Sequence, residues 1–468
     1  MLARLRARLG AVAAVAAPVG DAVVLAALGA LVRAAVVIWA AKRFPPVEDA
    51  RFYHELGTRL ARGLGYTWQW PDGAVTFVAH YPVGYPGLLG AGYALFGAQP
   101  VVGMTLNALL GALAVLAVHR IAAASVGRLG AGLSGLVAAL HPALVLYTPA
   151  LMTEGVTASL LTVAGWLAVI ARRSSRPLGW WLLLGGVFGL ATLVRGQSLL
   201  IAPLFGLIAG SGRARRGMVW GALAVTLSSA CVFLPWTLRN CEKMDRCVVV
   251  SANVGWNLLI GATDGATGTF VPIAGPSVPE ACRSVFGEAE KDACFAKAAG
   301  ELVRARPLRW LALAPAKLAS TFEYCGAAGW YLGASGPGSF SERDKLTLGV
   351  IETGLQRGLL ALAHLGIARV RGPRRGARVA LALFGIAALF APFAWVSALG
   401  LVASCLLLGG RLLEHPALGL GASAILMTAA THAVFFGAGR YSLVVFPLVA
   451  AMAGLGLAAR RGDGSPAF

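Results

Sequence analysis

Apolar runs about as long as a lipid bilayer is thick recur along this chain, for example at 21–41, 105–124 and 218–235. A helix needs roughly 20 such residues to cross a hydrocarbon core of about 30 Å. That core holds no water, so every backbone N–H and C=O must be satisfied internally, and only helices or a closed barrel can do so. A barrel strand alternates lipid-facing and lumen-facing residues over roughly 10 positions, whereas these runs are continuously apolar. Composition agrees, with 58% hydrophobic residues, 13% charged residues and a mean hydropathy of +0.73, well outside the range of water-soluble domains. The expected fold class is an all-α polytopic membrane protein.

A formal net charge of +20 invites a nucleic-acid reading, but the cations sit mostly in short clusters between apolar runs. That placement is the positive-inside pattern of inserted helices, and nucleic acid is not an expected partner. Taking Arg120 with Arg128, Arg172, Arg173 and Arg176, Arg213, Arg215 and Arg216, the run 369–378, Arg411, and Arg460 with Arg461 as cytoplasmic gives a consistent alternation. The spans then fall near 21–41, 100–119, 129–147, 151–171, 178–194, 198–211, 217–236, 347–368, 379–393, 394–410, 416–432 and 442–459. This makes about twelve helices, in a range of roughly 11–13, with both termini inside. Arg4, Arg6 and Arg8 before a small-residue stretch raise the question of a cleaved signal peptide, but Ala-rich sequence leads directly into a full span at 23–40, favouring an uncleaved first helix.

Five segments result: a cytoplasmic N-terminus and first span (1–41), a first extracytoplasmic loop (42–100), spans two to seven (100–236), a second extracytoplasmic loop (237–346), and C-terminal spans with a short cytoplasmic tail (347–468). The two long loops are expected to carry short interfacial helices. Little Lys beside much Arg, Ala and Gly suggests a bacterial, high-GC origin, hence a cytoplasmic (inner) membrane with the polar loops facing the periplasm. Cys241, Cys247, Cys282, Cys294 and Cys325 lie in the second outer loop. In an oxidising compartment Cys241–Cys247 and Cys282–Cys294 are feasible local bridges, with Cys325 left over. No zinc-type His/Cys spacing occurs, no pattern calls for a cofactor, and nothing decides for or against a divalent metal.

The first outer loop is the richest in chemistry. Glu48-Asp49 follows Pro45-Pro46 directly after the first span. Acids there suit a helix N-terminus, and a half-desolvated carboxylate is also a candidate general base; both readings can hold together. Further on, 79–89 breaks any helix and opens an apolar stretch, so that Tyr81 and Tyr85 are interfacial anchors or cavity lining. Glu154 and Arg195 lie within or at the ends of apolar runs, where an ionisable group is costly and usually serves a function or a pair. Arg195, Arg239 and Arg440 stand on the outer side, against the bias of the other arginines. Each alone can snorkel to lipid headgroups; together they offer forked donors for phosphate oxygens, balanced by a carboxylate such as Glu154 or by a lipid-linked phosphate.

Segments Asp49-x-x-x-Tyr53, Gly63-Leu64-Gly65-Tyr66 and Tyr81-Pro82-Val83-Gly84-Tyr85-Pro86, in that order, resemble the first outer loop of GT-C membrane glycosyltransferases, in the branch of protein O-mannosyltransferases and aminoarabinose transferases. The resemblance continues through 151–154, Arg195, Pro235-Trp236-Thr237-Leu238-Arg239-Asn240, 253–258 and Arg440-Tyr441. It departs at Val83, where members often carry a second proline, and at Arg195-Gly196, where many read Arg-Pro. The resemblance implies a GT-C-like fold and inverting transfer of a sugar from a polyprenyl-phosphate donor to a lipid, glycan or protein acceptor outside the cytoplasm. Asp49 would be the base, helped by Glu48. Arg195, Arg239 and Arg440 would hold the donor phosphate, with Tyr53, His80, Tyr81, Glu154, His432 and Tyr441 lining the substrate site. Membrane lipids are the remaining partner. Two other classes compete. A transporter or flippase should show polar groups at mid-membrane and inverted repeats of broken helices, and a non-catalytic assembly protein should tolerate loss of Asp49.

Overall fold

A computed structural model describes residues 2–457, with side chains described from Gly20 onward; the side chains of Arg4, Arg6 and Arg8, which bear on the signal-peptide question, and of Arg460 and Arg461, which bear on orientation, lie outside the described set. Helix α1 (Leu2–Ala40) supplies the first apolar span and α2 (Asp49–Ala61) follows the Pro45-Pro46 turn. A two-stranded antiparallel hairpin, β1 (Thr67–Gln69) and β2 (Val75–Phe77), leads to α3 (Gly84–Phe96). Helix α3 lies in the segment of the first loop expected to carry a short helix.

The central bundle runs through α4 (Pro100–Ala123), α5 (Arg128–Leu140), the short α6 (Pro142–Leu146), α7 (Thr153–Arg173), α8 (Leu178–Val194), α9 (Ala202–Gly210) and α10 (Arg215–Lys243). A disulfide-bearing outer lobe contains α11 (Val254–Ile260), α12 (Glu288–Ala305), α13 (Pro307–Ala312) and α14 (Ala314–Phe322). Helix α15 (Ala327–Ser335) returns the chain to α16 (Glu342–Arg369), α17 (Arg375–Ala388), α18 (Ala394–Leu406), α19 (Pro416–Val434) and α20 (Phe446–Leu457).

Among the described residues, six helical segments are long and apolar enough to cross a membrane: Gly20–Ala40, Pro100–Ala123, Thr153–Arg173, Arg215–Lys243, Pro416–Val434 and Gly439–Leu457. Four shorter apolar segments, Arg128–Leu140, Leu178–Val194, Gly196–Gly210 and Ala394–Leu406, match expected spans that are broken or short. The span expected at 129–147 is two helices, because Pro142 cannot donate to the carbonyl a turn earlier and restarts the helix at its first position.

Breaking a helix inside a bilayer strands carbonyls that lipid cannot satisfy. Arg33, in the first span and only 2% exposed, meets that need. Its guanidinium donates to Ala138 O at 3.2 Å and Ala139 O at 3.3 Å at the end of α5, and to Gly29 O at 3.1 Å. An ionisable group thus lies within the first span, and its bonds are those of a helix C-cap.

One further boundary differs from expectation. Helix α10 runs beyond 236 to Lys243 despite Pro235, and the segment 304–317 is divided among the end of α12, α13 and the start of α14 by Pro307 and Pro315. Both expected bridges form, Cys241–Cys247 and Cys282–Cys294, leaving Cys325 free and buried. The Gly-rich 261–268 stretch is a packed connector: Gly437 N donates to Gly268 O at 2.8 Å, and Leu259, Ile260, Phe295, Phe436 and Tyr441 form one apolar cluster beneath it.

Candidate active site

The start of α2, the start of α7, the end of α8 and the turn before α20 bring Asp49, Glu154, Arg195 and Arg440 together. Asp49 sits in the first turn of α2, where unpaired amides favour a carboxylate. Its oxygens are both engaged: Tyr81 donates its hydroxyl to Oδ1 at 2.9 Å, and Arg440 Nη2 approaches Oδ2 at 3.3 Å. Burial, and next the Asp49 charge, push the Tyr81 phenol above its ordinary pKa, so that Tyr81 stays protonated and remains a donor. Tyr53 packs edge-on to Tyr81 and Tyr85, with ring centroids 5.0 and 5.6 Å apart. The preceding Glu48 is exposed and has φ of 50°, a region that side-chain-bearing residues rarely adopt; it makes no side-chain cap.

Glu154 is 2% exposed in the first turn of α7. Arg195 Nη1 donates to its Oε1 at 2.9 Å, Arg440 Nε lies 3.4 Å from the same oxygen, and Tyr147 donates its hydroxyl to Oε2 at 3.0 Å. Arg195 is aimed there because the chain turns extended at that residue, ending α8, with φ of −147° and ψ of 112°. Aromatic faces hold both guanidinium groups: Arg195 over Tyr441 at 4.9 Å, Arg440 over Trp330 at 4.9 Å and over Tyr441 at 5.4 Å. His432 stacks on Tyr441 with centroids 4.2 Å apart, and its Nδ1 donates to Phe436 O at 2.9 Å. Two arginines and two carboxylates therefore share one site with formal charges that balance, Arg440 touching both acids.

The Tyr81–Pro86 motif owes its glycine to close packing. A Cβ on Gly84 would lie 2.5 Å from the carbonyl carbon of Leu193, so any larger residue would push α3 off the end of α8 beside Arg195. His80 sits at the rim, edge-on to Tyr81 and Trp256 at 4.9 and 5.8 Å. Its backbone amide and that of Ala79 donate to Glu288 of the outer lobe. Burial raises the Glu288 carboxyl above the usual range.

Arg239 is placed apart from this cluster. It donates to Val78 O at 3.0 Å, Tyr66 O at 2.8 Å and Asn240 Oδ1 at 3.0 Å, and stacks on Trp236 at 4.7 Å. Its neighbours act alike: Trp236 Nε1 donates to Val250 O, Thr237 Oγ1 to Val249 O and Asn240 Nδ2 to Val248 O, at 2.8, 2.7 and 3.0 Å. In this fold the 235–240 motif is a bracket that fastens the hairpin and the 248–250 segment to α10. Tyr147, Trp330 and Glu288 escape a reading of the sequence. Each makes its contact across a large sequence separation or a helix break, which no local pattern reveals. Among the described residues no three His, Cys, Asp or Glu side chains gather as a metal-type cluster.

Comparison with curated proteins finds no match. Among solved structures, the oligosaccharyltransferase of Archaeoglobus fulgidus in complex with Zn and sulfate aligns over 92% of this chain and 48% of its own, at 16% identity and TM-score 0.47. The chain thus spans about half the length of that enzyme. ArnT from Cupriavidus metallidurans in the apo state aligns over 93% of this chain and 76% of its own, at 14% identity and TM-score 0.38, and a structure of ArnT bound to undecaprenyl phosphate aligns at the same score. Likenesses this distant assign no activity to this chain. Residues 80–237 match the family model of dolichyl-phosphate-mannose-protein mannosyltransferases, and over that segment the chain resembles the GT-C membrane glycosyltransferases to which its motifs point.

Proposed function

We propose that this integral membrane protein is an inverting glycosyltransferase, moving a sugar from a polyprenyl-phosphate donor to a lipid, glycan or protein acceptor on the periplasmic face of a bacterial inner membrane. The observation that carries the reading is Arg440 shared between Asp49 and Glu154, at 3.3 and 3.4 Å. A guanidinium held by two carboxylates and two aromatic faces is ready to trade one anion for another. Donor phosphate entering beside Arg195 and Arg440 would draw Arg440 from Asp49 and leave its Oδ2 free to accept the proton of the acceptor.

Transfer then proceeds in one displacement. An acceptor hydroxyl or amine attacks the anomeric carbon, the bond from that carbon to the phosphate oxygen breaks, and the acceptor proton passes to Asp49. The leaving polyprenyl phosphate gains charge, which the guanidinium groups of Arg195 and Arg440 stabilise. Glu154 holds both arginines in register, while Tyr53, Tyr81, His80, His432 and Tyr441 shape the cavity. Glu48 adds negative charge at the rim, and Arg239 acts through the outer bracket.

The test is purified protein in detergent, with polyprenyl-phosphate sugars and peptide or lipid acceptors, read as release of polyprenyl phosphate. Asp49→Asn should keep the fold and lower turnover by about 10²–10⁴-fold, the usual worth of a general base. Wild-type turnover that survives in Asp49→Asn removes Asp49 as the base. Wild-type protein that consumes no donor yet moves lipid across a vesicle membrane would show a transporter instead.

A further inference from the structure

Helix α16 carries a carboxylate that the proposed reaction does not use. Glu352 is completely buried, and neither of its oxygens closes a hydrogen bond of full geometry. It faces the Cys325 thiol and the amides of Gly326, Ala327 and Ala328, which open α15. First-turn amides have no partner within their own helix, and a carbonyl or carboxylate oxygen in front of them is what satisfies them. An acid in a bundle interior is costly, and this one lies against the turn that Arg440 rests on.

Two contacts link that turn to Arg440. Gly439 packs its backbone directly on the turn: a Cβ there would overlap Tyr324 O and Cys325 O, so the chain before Arg440 has no room to shift toward it. Ser442, two residues beyond Arg440, sets its hydroxyl beside the Cys325 thiol. Meanwhile α15 itself presents Trp330, whose ring lies 4.9 Å beneath the Arg440 guanidinium. The start of α15 therefore supports Arg440 through its backbone on one side and through Trp330 on the other.

We infer that Glu352 is a positioning residue for Arg440, holding the amino end of α15 so that the 439–442 turn and Trp330 fix the guanidinium between Asp49 and Glu154. The role of Arg440 as a phosphate ligand rests on the function proposed above; the positioning does not.

Hydrogen–deuterium exchange separates the two. Glu352→Leu removes the acceptor at similar bulk, and Glu352→Gln keeps an oxygen in front of the amides. Exchange at 326–328 and 438–442 should quicken about tenfold or more in Glu352→Leu and stay near the wild-type rate in Glu352→Gln, an oxygen facing the amides of a helix start being worth about that factor. With polyprenyl-phosphate sugar, Glu352→Leu should raise KM for donor about tenfold and leave KM for acceptor within about twofold, and Glu352→Gln should restore it. Unchanged exchange at 438–442 in Glu352→Leu, or exchange that quickens equally in every span, overturns the positioning role. Local quickening in a protein that turns over no polyprenyl-phosphate sugar upholds the positioning and rejects the glycosyltransferase reading.

Discussion

Arg195, Arg239 and Arg440 look alike in the sequence, and their surroundings separate them. Arg195 and Arg440 point at a carboxylate that is 2% exposed, whereas Arg239 spends its donors on Val78 O, Tyr66 O and Asn240 Oδ1. A guanidinium committed to backbone carbonyls cannot also grip phosphate without releasing the hairpin. Arg440→Lys is therefore expected to weaken donor use about tenfold, because an ammonium cannot reproduce the fork that reaches two acids. Arg239→Lys should leave donor KM within about twofold and lower the melting temperature, with the loss confined to the hairpin side. Parallel kinetics and thermal melts of the two variants check this. Equal losses of donor affinity would return Arg239 to the phosphate site.

At the scale of elements, helix ends decide what each motif does. Arg33 caps the broken α5, and Lys317 does the same for α19: its Nζ donates to Val434 O at 3.0 Å and lies 5.0 Å from the Trp310 ring. Lys317 is fully buried, and burial lowers its pKa to about 8, from an ordinary value of 10.5. The folded state then holds fewer protons on this group than the unfolded state between those values, and stability rises with pH across that window. Below about pH 8 both states are charged and the burial penalty is present in full; above about 10.5 it is gone. Melting curves at pH values from about 7.5 to 10.5 should show the wild type gaining on Lys317→Met as pH rises. Parallel pH profiles for the two proteins would show that Lys317 does not titrate in this window.

For the molecule as a whole, the outer lobe meets the bundle at the 235–240 bracket, the Glu288 contact with the Ala79 and His80 amides, the seam at 434–437, and α14, whose Leu318 and Phe322 join the bundle core. Its α11–α12 part is closed by the Cys282–Cys294 bridge, which joins residues 12 apart in sequence. Replacing both cysteines with serine should cost about 3 kcal/mol of lobe stability, mostly through a freer unfolded chain. Limited proteolysis should then cut between 261 and 305 while the spans stay intact. Cleavage that begins equally in the bundle would show that the lobe does not unfold separately.

Much of this architecture was legible from local pattern. Lipid leaves a chain few ways to satisfy its backbone, so apolar runs announce spans. Close cysteine pairs foretold both bridges, since short loops leave few partners in reach. The sequence by itself determined that this is a helical membrane protein, because hydrophobic length is read one residue at a time. Only the tertiary structure decided which arginines share a carboxylate, that 235–240 is a bracket, that 129–147 is two helices capped by Arg33, and that Glu352 lies behind Arg440. Each of these is a contact between side chains or carbonyls far apart in sequence, and such distances exist only once the helices have packed.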